Sequence, residues 1–198
     1  MIGVKEKGNP AQMNDAQFLP LDIAVLTISD TRGEAEDTSG KLIRDSLQQA
    51  GHRCAEKVIV RDDKYEIREV LSRWIQDPAI NTVITTGGTG ITGRDGTPEA
   101  IRPLLDKEIE GFGEMFRNLS YQEIKTSTLQ SRALAGVANS TFIFVLPGSS
   151  GACRLAWNAL IVEQLDNRTR PCNLVMFCLL YTSPSPRDQR GSRMPSSA

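Results

Sequence analysis

"TTGGTGITGRDGTPEA", residues 85–100, decides how this chain is read. It holds five glycines and five threonines, and it joins an apolar run, "NTVITT" at 81–86, to a helix start. Glycines let backbone N–H groups close on phosphate oxygens without interference from a Cβ, and threonine hydroxyls add donors. The loop carries no lysine, however, and Asp95 stands near its far end, which repels a bare phosphate. A plain strand-to-helix turn uses glycines in the same way, so the stretch alone does not demand a ligand. Thr97 is expected to cap the following helix, with Pro98 at its first position and Glu99 in its first turn.

Two familiar phosphate motifs do not apply. No G-x-x-x-x-G-K-[ST] occurs: "TSGKL" at 38–42 has the Gly-Lys pair but no glycine five residues earlier, and Leu42 replaces the hydroxyl. Gly88, Gly90 and Gly93 match G-x-G-x-x-G as a bare string. They follow the third apolar run rather than the first, and no acidic residue closes a later strand about 20 residues on, so a dinucleotide fold is not indicated.

Around the loop, short apolar runs alternate with amphipathic stretches. Strands are expected at "DIAVLTIS" (22–29), "EKVIV" (56–60), "NTVITT" and "TFIFVLP" (141–147). Helices are expected at "TSGKLIRDSLQQAG", with Leu42, Ile43 and Leu47 on one face and Gly51 as its stop, and at "KYEIREVLSRWIQD", where Ile67, Val70, Leu71, Trp74 and Ile75 share a face. Further helices are expected at "GFGEMFRNLS", "LQSRALAGVA" and the serine-led "SSGACRLAWNALIVEQL". Fully apolar strands between helices give an α/β protein with a mostly parallel sheet covered on both faces. Ligands in such sheets sit at the carboxyl edge, where the glycine loop stands.

The bulk composition is that of one soluble domain: 198 residues, 39% apolar, 24% charged, formal charge −1. That balance gives no general attraction to nucleic acid or acidic membranes, and no run is long enough to span a bilayer. Neither kind of partner is expected. The four cysteines show no C-x-x-C spacing and read as inert, buried, reduced thiols of a cytoplasmic protein. His52 is the only histidine, so Ser-His-Asp chemistry and His-rich metal sites are not expected. Residues 1–17 read as a flexible extension, 18–175 as the domain and 176–198 as a tail outside it. Within that tail, 178–188 and 192–198 resemble one reading frame of a transposase sequencing adapter, so it is expected to be an artefact that docks nowhere.

"TTGGTGITGRDGTPEAI" resembles the signature of the molybdenum cofactor biosynthesis protein B and molybdopterin adenylyltransferase family. The likeness continues through "LTISDTRGEAEDTSG", "EGFGEMFR", "STLQSRALAGVAN", "LPGSSGACRLAW" and "DNRTRPCN", covering roughly residues 18–173. It implies a three-layer α/β/α domain that assembles as a homotrimer or a homohexamer made of two trimers. It further implies binding of molybdopterin, a pterin dithiolene with a terminal phosphate. Active members transfer AMP from ATP to that phosphate with Mg²⁺ and release pyrophosphate. Carried over by residue, Thr86, Gly87, Gly88, Thr89 and Gly90 bind phosphate. Ser29 and Asp30 at the end of the first strand, and Pro147, Gly148 and Ser149 before the last helix, line the same edge. Asp62 and Asp95 are the catalytic carboxylates and hold Mg²⁺. Asp63 is adjacent to Asp62, which is preferred by its register with the second strand. The rival reading is a non-catalytic molybdopterin-binding or scaffold protein of the same pathway. Aspartate rather than glutamate at position 62 favours the enzyme.

Overall fold

The computed structural model describes residues 17–176. The expected extension, apart from Gln17, and the expected tail, apart from Met176, lie outside the described residues. In chain order the elements are β1 (Asp22–Ile28), α1 (Thr38–Gln49), β2 (Arg53–Val60), α2 (Lys64–Gln76), β3 (Thr82–Thr86), α3 (Thr97–Ile101), β4 (Lys107–Glu108), α4 (Glu110–Ile124), β5 (Leu134–Ala138), β6 (Thr141–Leu146) and α5 (Ser150–Ala156). The last helix runs on through a π-helical stretch, Trp157–Ile161, into a closing α-turn, Val162–Gln164. The single sheet has the order β2-β1-β3-β6-β5-β4. Its first four strands are parallel, and β5 and β4 are antiparallel additions at one edge.

Strand alternation builds the two cores. Ile23, Val25, Ile84, Phe142, Phe144 and Leu146 face one side, against Ile43 and Leu47 of α1, Phe112 and Phe116 of α4, and Cys153, Ala156 and Trp157 of the last helix. Ala24, Leu26, Val83, Ile143 and Val145 face the other side, against Ile67, Leu71 and Trp74 of α2 and Ala100 and Ile101 of α3. The result is the expected three-layer α/β/α sandwich.

Two expectations are corrected. "LQSRALAGVA" is not a helix: a 3₁₀ stretch ends at Gln130, and Leu134–Ala138 is a strand. Alanine and leucine favour helix locally, but the segment has period two, with Ala133 and Ala135 in one core and Leu134 and Ala138 in the other. It pairs with β6 through a two-residue turn, Asn139-Ser140, both at positive φ, as tight hairpins require. Second, Thr97 does not cap α3. Gly96 is the cap residue, Thr97 is already helical, and its buried hydroxyl has no hydrogen-bond partner among the described residues.

Candidate active site

The carboxyl ends of β1, β3 and β6 open on a cleft of about 570 Å³. The topology makes this opening. The loop after β1 leads to α1 on one face, and the loop after β6 leads to α5 on that same face. The loop after β3, which lies between them in the sheet, leads to α3 on the opposite face. Diverging loops leave a crevice at such a switch point. Ser29 and Arg32, Gly87–Gly90 with Asp95, and Pro147–Ser149 line its floor, and Phe116, Ser120, Glu123 and Ile124 of α4 form a mixed wall.

The glycine loop is shaped by its neighbours. Gly87 has φ +109°, and a Cβ there would lie 2.1 Å from the Ile28 carbonyl oxygen, so only glycine fits. Its N–H donates to Leu146 O at 3.0 Å, which continues the sheet across to β6. Gly88, also at positive φ, accepts from Thr97 N at 3.1 Å, so the loop is tied to the start of α3. The amides of Gly88 and Thr89 have no protein acceptor among the described residues, and they border the cleft. Ser149 caps α5 by accepting from Ala152 N at 3.3 Å, leaving the positive end of that helix beside the loop. Thr86 does not line the cleft. It is buried in β3 with its hydroxyl donating to Pro147 O at 3.0 Å, so its side chain holds the floor together from behind.

The structure separates the adjacent aspartates after β2. Asp63 caps α2, accepting from Tyr65 N at 2.8 Å and Glu66 N at 3.1 Å. Asp62 turns toward the glycine loop and accepts from Gly96 N at 3.3 Å. A Cβ on Gly88 would stand 2.6 Å from Asp62 Oδ2, and one on Gly90 would stand 2.6 Å from Asp95 Oδ2. Both carboxylates therefore abut the loop, two residues apart along it. Asp95 lines the cleft and Asp62 stands just behind it. Asp30 does not line the cleft; its Oδ1 accepts from Asp62 N at 3.1 Å and its Oδ2 meets Arg94 at 3.2 Å.

The environments of the two carboxylates differ in sign. Partial burial pushes the Asp62 carboxyl above the usual carboxylate range, and the charges of Asp95 and Asp30 push it further, against the pull of Gly96 N and Arg132. Asp95 is held below that range, first by the Thr92 hydroxyl and then by backbone N–H groups and Arg132. Its Oδ2 accepts from Thr92 Oγ1 at 2.6 Å and Thr92 N at 2.9 Å. Among the described residues no cluster of three or more acidic, histidine or cysteine side chains is close enough to hold a metal by itself. Two carboxylates beside backbone amides with no protein acceptor are a donor set of the kind that fits Mg²⁺, an ion that keeps waters and is commonly shared with phosphates.

Sequence reasoning missed two arginines. Arg32 lines the cleft and donates to Gly148 O at 3.1 Å; its own N–H is turned toward Ser29 Oγ at 3.1 Å. Arg132 reaches the glycine loop from the segment misread as helix. Both lie in stretches that resemble the family, in "LTISDTRGEAEDTSG" and "STLQSRALAGVAN", so the resemblance was the available signal, but nothing in the local sequence of either pointed to the cleft or the glycine loop. The expected burial of the cysteines holds for Cys153, whose thiol is pushed by burial up to about 11; Cys54 is half-buried and Cys172 exposed.

Residues 24–167 match the family model described as "Probable molybdopterin binding domain". The chain is 57% identical to molybdenum cofactor biosynthesis protein B of Escherichia coli K12 over 157 residues, 79% of this chain and 92% of that protein. It belongs to the molybdenum cofactor biosynthesis protein B family. A crystal structure of a molybdenum cofactor biosynthesis protein B superposes with a TM-score of 0.72 at 47% identity, over 74% of this chain and 92% of that one. The tungsten cofactor synthesizing protein of Pyrococcus furiosus follows with a TM-score of 0.64 at 42% identity, over 69% and 88% of the two chains. Membership of the protein B family gives this chain a role in molybdenum cofactor biosynthesis. The matched span contains the whole cleft floor, both carboxylates and the two arginines.

Proposed function

We propose that this protein binds molybdopterin in the cleft and adenylylates its terminal phosphate with ATP. The observation that carries the reading is the seating of Asp62 and Asp95 against Gly88 and Gly90, beside backbone amides with no protein acceptor. In the proposed reaction a terminal phosphate oxygen of molybdopterin attacks the α-phosphorus of ATP. The bond from that phosphorus to the bridging oxygen breaks, and pyrophosphate leaves with the electron pair. Catalysis of this kind is mostly positioning and charge compensation. Gly88 and Thr89 amides and the α5 N-terminus would orient phosphate, and Arg32 would offset its charge. Asp62 and Asp95 would hold Mg²⁺, which when bound neutralises the polyphosphate. The wall from α4, with Phe116 and Ile124 beside Ser120 and Glu123, offers apolar and polar contacts to a flat heterocycle.

The wider reading includes a cytoplasmic place of work, where ATP is available, and a homotrimer or a pair of trimers. Native mass spectrometry checks the assembly; a monomer or dimer at micromolar concentration refutes it. The activity is tested by incubation with ATP, Mg²⁺ and molybdopterin, following adenylylated pterin and pyrophosphate. The expected result is stoichiometric formation of both. Tight molybdopterin binding with no product would replace the enzyme by a carrier of the pterin.

A further inference from the structure

Three carbonyls of the loop from Thr89 to Asp95, those of Thr89, Gly90 and Asp95, lie within reach of one side chain and are not used by the sheet or α3. Arg132 takes all three. Its Nε donates to Gly90 O at 2.7 Å and to Thr89 O at 3.4 Å, and its Nη2 donates to Asp95 O at 2.6 Å. Among the described residues these carbonyls have no other donor. The remaining terminal nitrogen pairs with Glu99 of α3, and Glu99 is itself held, since Arg68 of α2 donates to Glu99 O at 3.1 Å and Ala100 O at 2.9 Å. The guanidinium fork is thus fixed from α3 and spans both ends of the loop segment that carries Asp95.

We propose that Arg132 is a positioning residue for the adenylyl transfer: it fixes the Thr89–Asp95 backbone and through it the Asp95 carboxylate. This rests on the proposed function above. Only a planar fork can bridge Gly90 O and Asp95 O together; a lysine ammonium supplies the same charge from one point. The side chain keeps about a quarter of its surface open, 28%, so its removal leaves an accessible gap rather than an empty core.

The test compares Arg132→Lys and Arg132→Ala with the parent in two assays. In the first, adenylylation is followed with ATP, Mg²⁺ and molybdopterin. Both variants should lose about tenfold to a hundredfold in kcat, with KM for molybdopterin changing less than threefold, because the Gly88 and Thr89 amides are left in place. Added guanidinium ion at millimolar concentration should restore part of the Arg132→Ala rate and none of the Arg132→Lys loss. In the second, amide hydrogen exchange is read without substrate at Thr92, Asp95, Gly96 and Thr97, whose N–H groups are bonded within or beside the loop. Exchange there should speed up at least tenfold in both variants while β1, β3 and β6 stay as in the parent. Parent-like kcat in both variants overturns the inference and leaves the enzyme reading standing. A parent that makes no product overturns the enzyme reading, and the exchange assay then decides alone: unchanged protection at those four amides overturns the role of Arg132.

Discussion

Asp62→Asn and Asp95→Asn should fall together in turnover and part in stability. Each removes one charge that acts on the nucleotide and its metal in the proposed reaction, so kcat should drop by roughly two to three powers of ten. That corresponds to about 3–4 kcal/mol, the size of losing one preorganised electrostatic group. Stability follows the local contacts instead. Asp95 accepts two hydrogen bonds from Thr92, at 2.6 and 2.9 Å, and the amide that replaces it can keep the geometry but not the charge. On an exposed turn the loss is about 1 kcal/mol, a fall in Tm of about 2–4 °C for a domain of this size. Asp62 is in the opposite position. Burial and the charges of Asp95 and Asp30 disfavour its ionised form in the fold, and asparagine has no charge to disfavour. Asp62→Asn should therefore raise Tm at pH 7.

The pH dependence separates the two further. A carboxyl raised in the folded state gives no penalty below its ordinary value of 3.8, and the penalty grows as pH rises through the folded value. The gain in Tm from Asp62→Asn should shrink as the pH is lowered toward 4. A carboxyl depressed in the folded state contributes stability above 3.8 and loses it only as pH falls through its lower folded value. The Asp95→Asn deficit should therefore persist at pH 4. Scanning calorimetry at pH 7 and pH 4 reads both. If Asp62→Asn lowers Tm as much as Asp95→Asn at pH 7, the carboxylate is a structural anchor, and the case for a charge held in reserve for a cation collapses.

Gly87→Ala should be severe, because it combines φ +109° with a Cβ 2.1 Å from a backbone oxygen; we expect a loss of about 3 kcal/mol or more, read by urea denaturation, and a loss near zero would mean that the β3–loop junction is not held as described. His52 is buried and takes Leu21 N on Nδ1 at 3.2 Å, and burial lowers its pKa below 6.5. Its neutral form is the one that fits, so stability should be complete above pH 6.5 and decline as pH falls toward the lower folded value. In His52→Asn, which keeps an acceptor but cannot titrate, that part of the slope should vanish; an unchanged slope between pH 7.5 and 5.5 would assign it elsewhere. Cys153, with its thiol pushed up to about 11, should resist iodoacetamide at pH 8 in the native protein while exposed Cys172 alkylates, as peptide mapping would show; equal rates would contradict the burial.

Most of the parallel half of the sheet was legible because β1, β3 and β6 are buried on both faces and so read as unbroken apolar runs between helices with clear apolar stripes, while the half-exposed edge strand β2 showed only in its last residues, "KVIV". The antiparallel edge was not. β4 is two residues long, and four of the five residues of β5 are alanine, leucine or glycine, whose local preference points to helix or turn, with Val137 the one strand former. Only pairing with β6 and the split of its side chains between two cores make it a strand, and that information is tertiary. The site divides the same way. The glycine loop and its strand-end partners stand in sequence motifs, so their place at the carboxyl edge could be read. Asp62 and Asp63 could be told apart by strand register because one must cap α2 and the other is then free to turn inward. Thr86, inside the motif, turns out to brace the floor from behind. Arg132 acts across 42 residues of chain on Gly90, and no spacing announces such a contact.

That long-range contact explains how a loop rich in glycine can serve a reaction that needs fixed geometry. Glycine at 87 and 88 is demanded by packing against Ile28 O and against the Asp62 and Thr97 side chains, so these positions are packed into place rather than loose. Past Gly88 the chain must leave for the opposite face of the sheet, and it has no sheet partner to guide it. The order there comes from side chains: Thr92 closes on Asp95 from within the loop, Asp62 accepts from Gly96 N out of the loop after β2, and the Arg132 fork holds the carbonyls. Two of those three devices use the carboxylates assigned to chemistry. In the proposed reaction, then, Asp62 and Asp95 shape the empty loop and serve the nucleotide in turn, and asparagine at either position should keep most of the first role while losing the second.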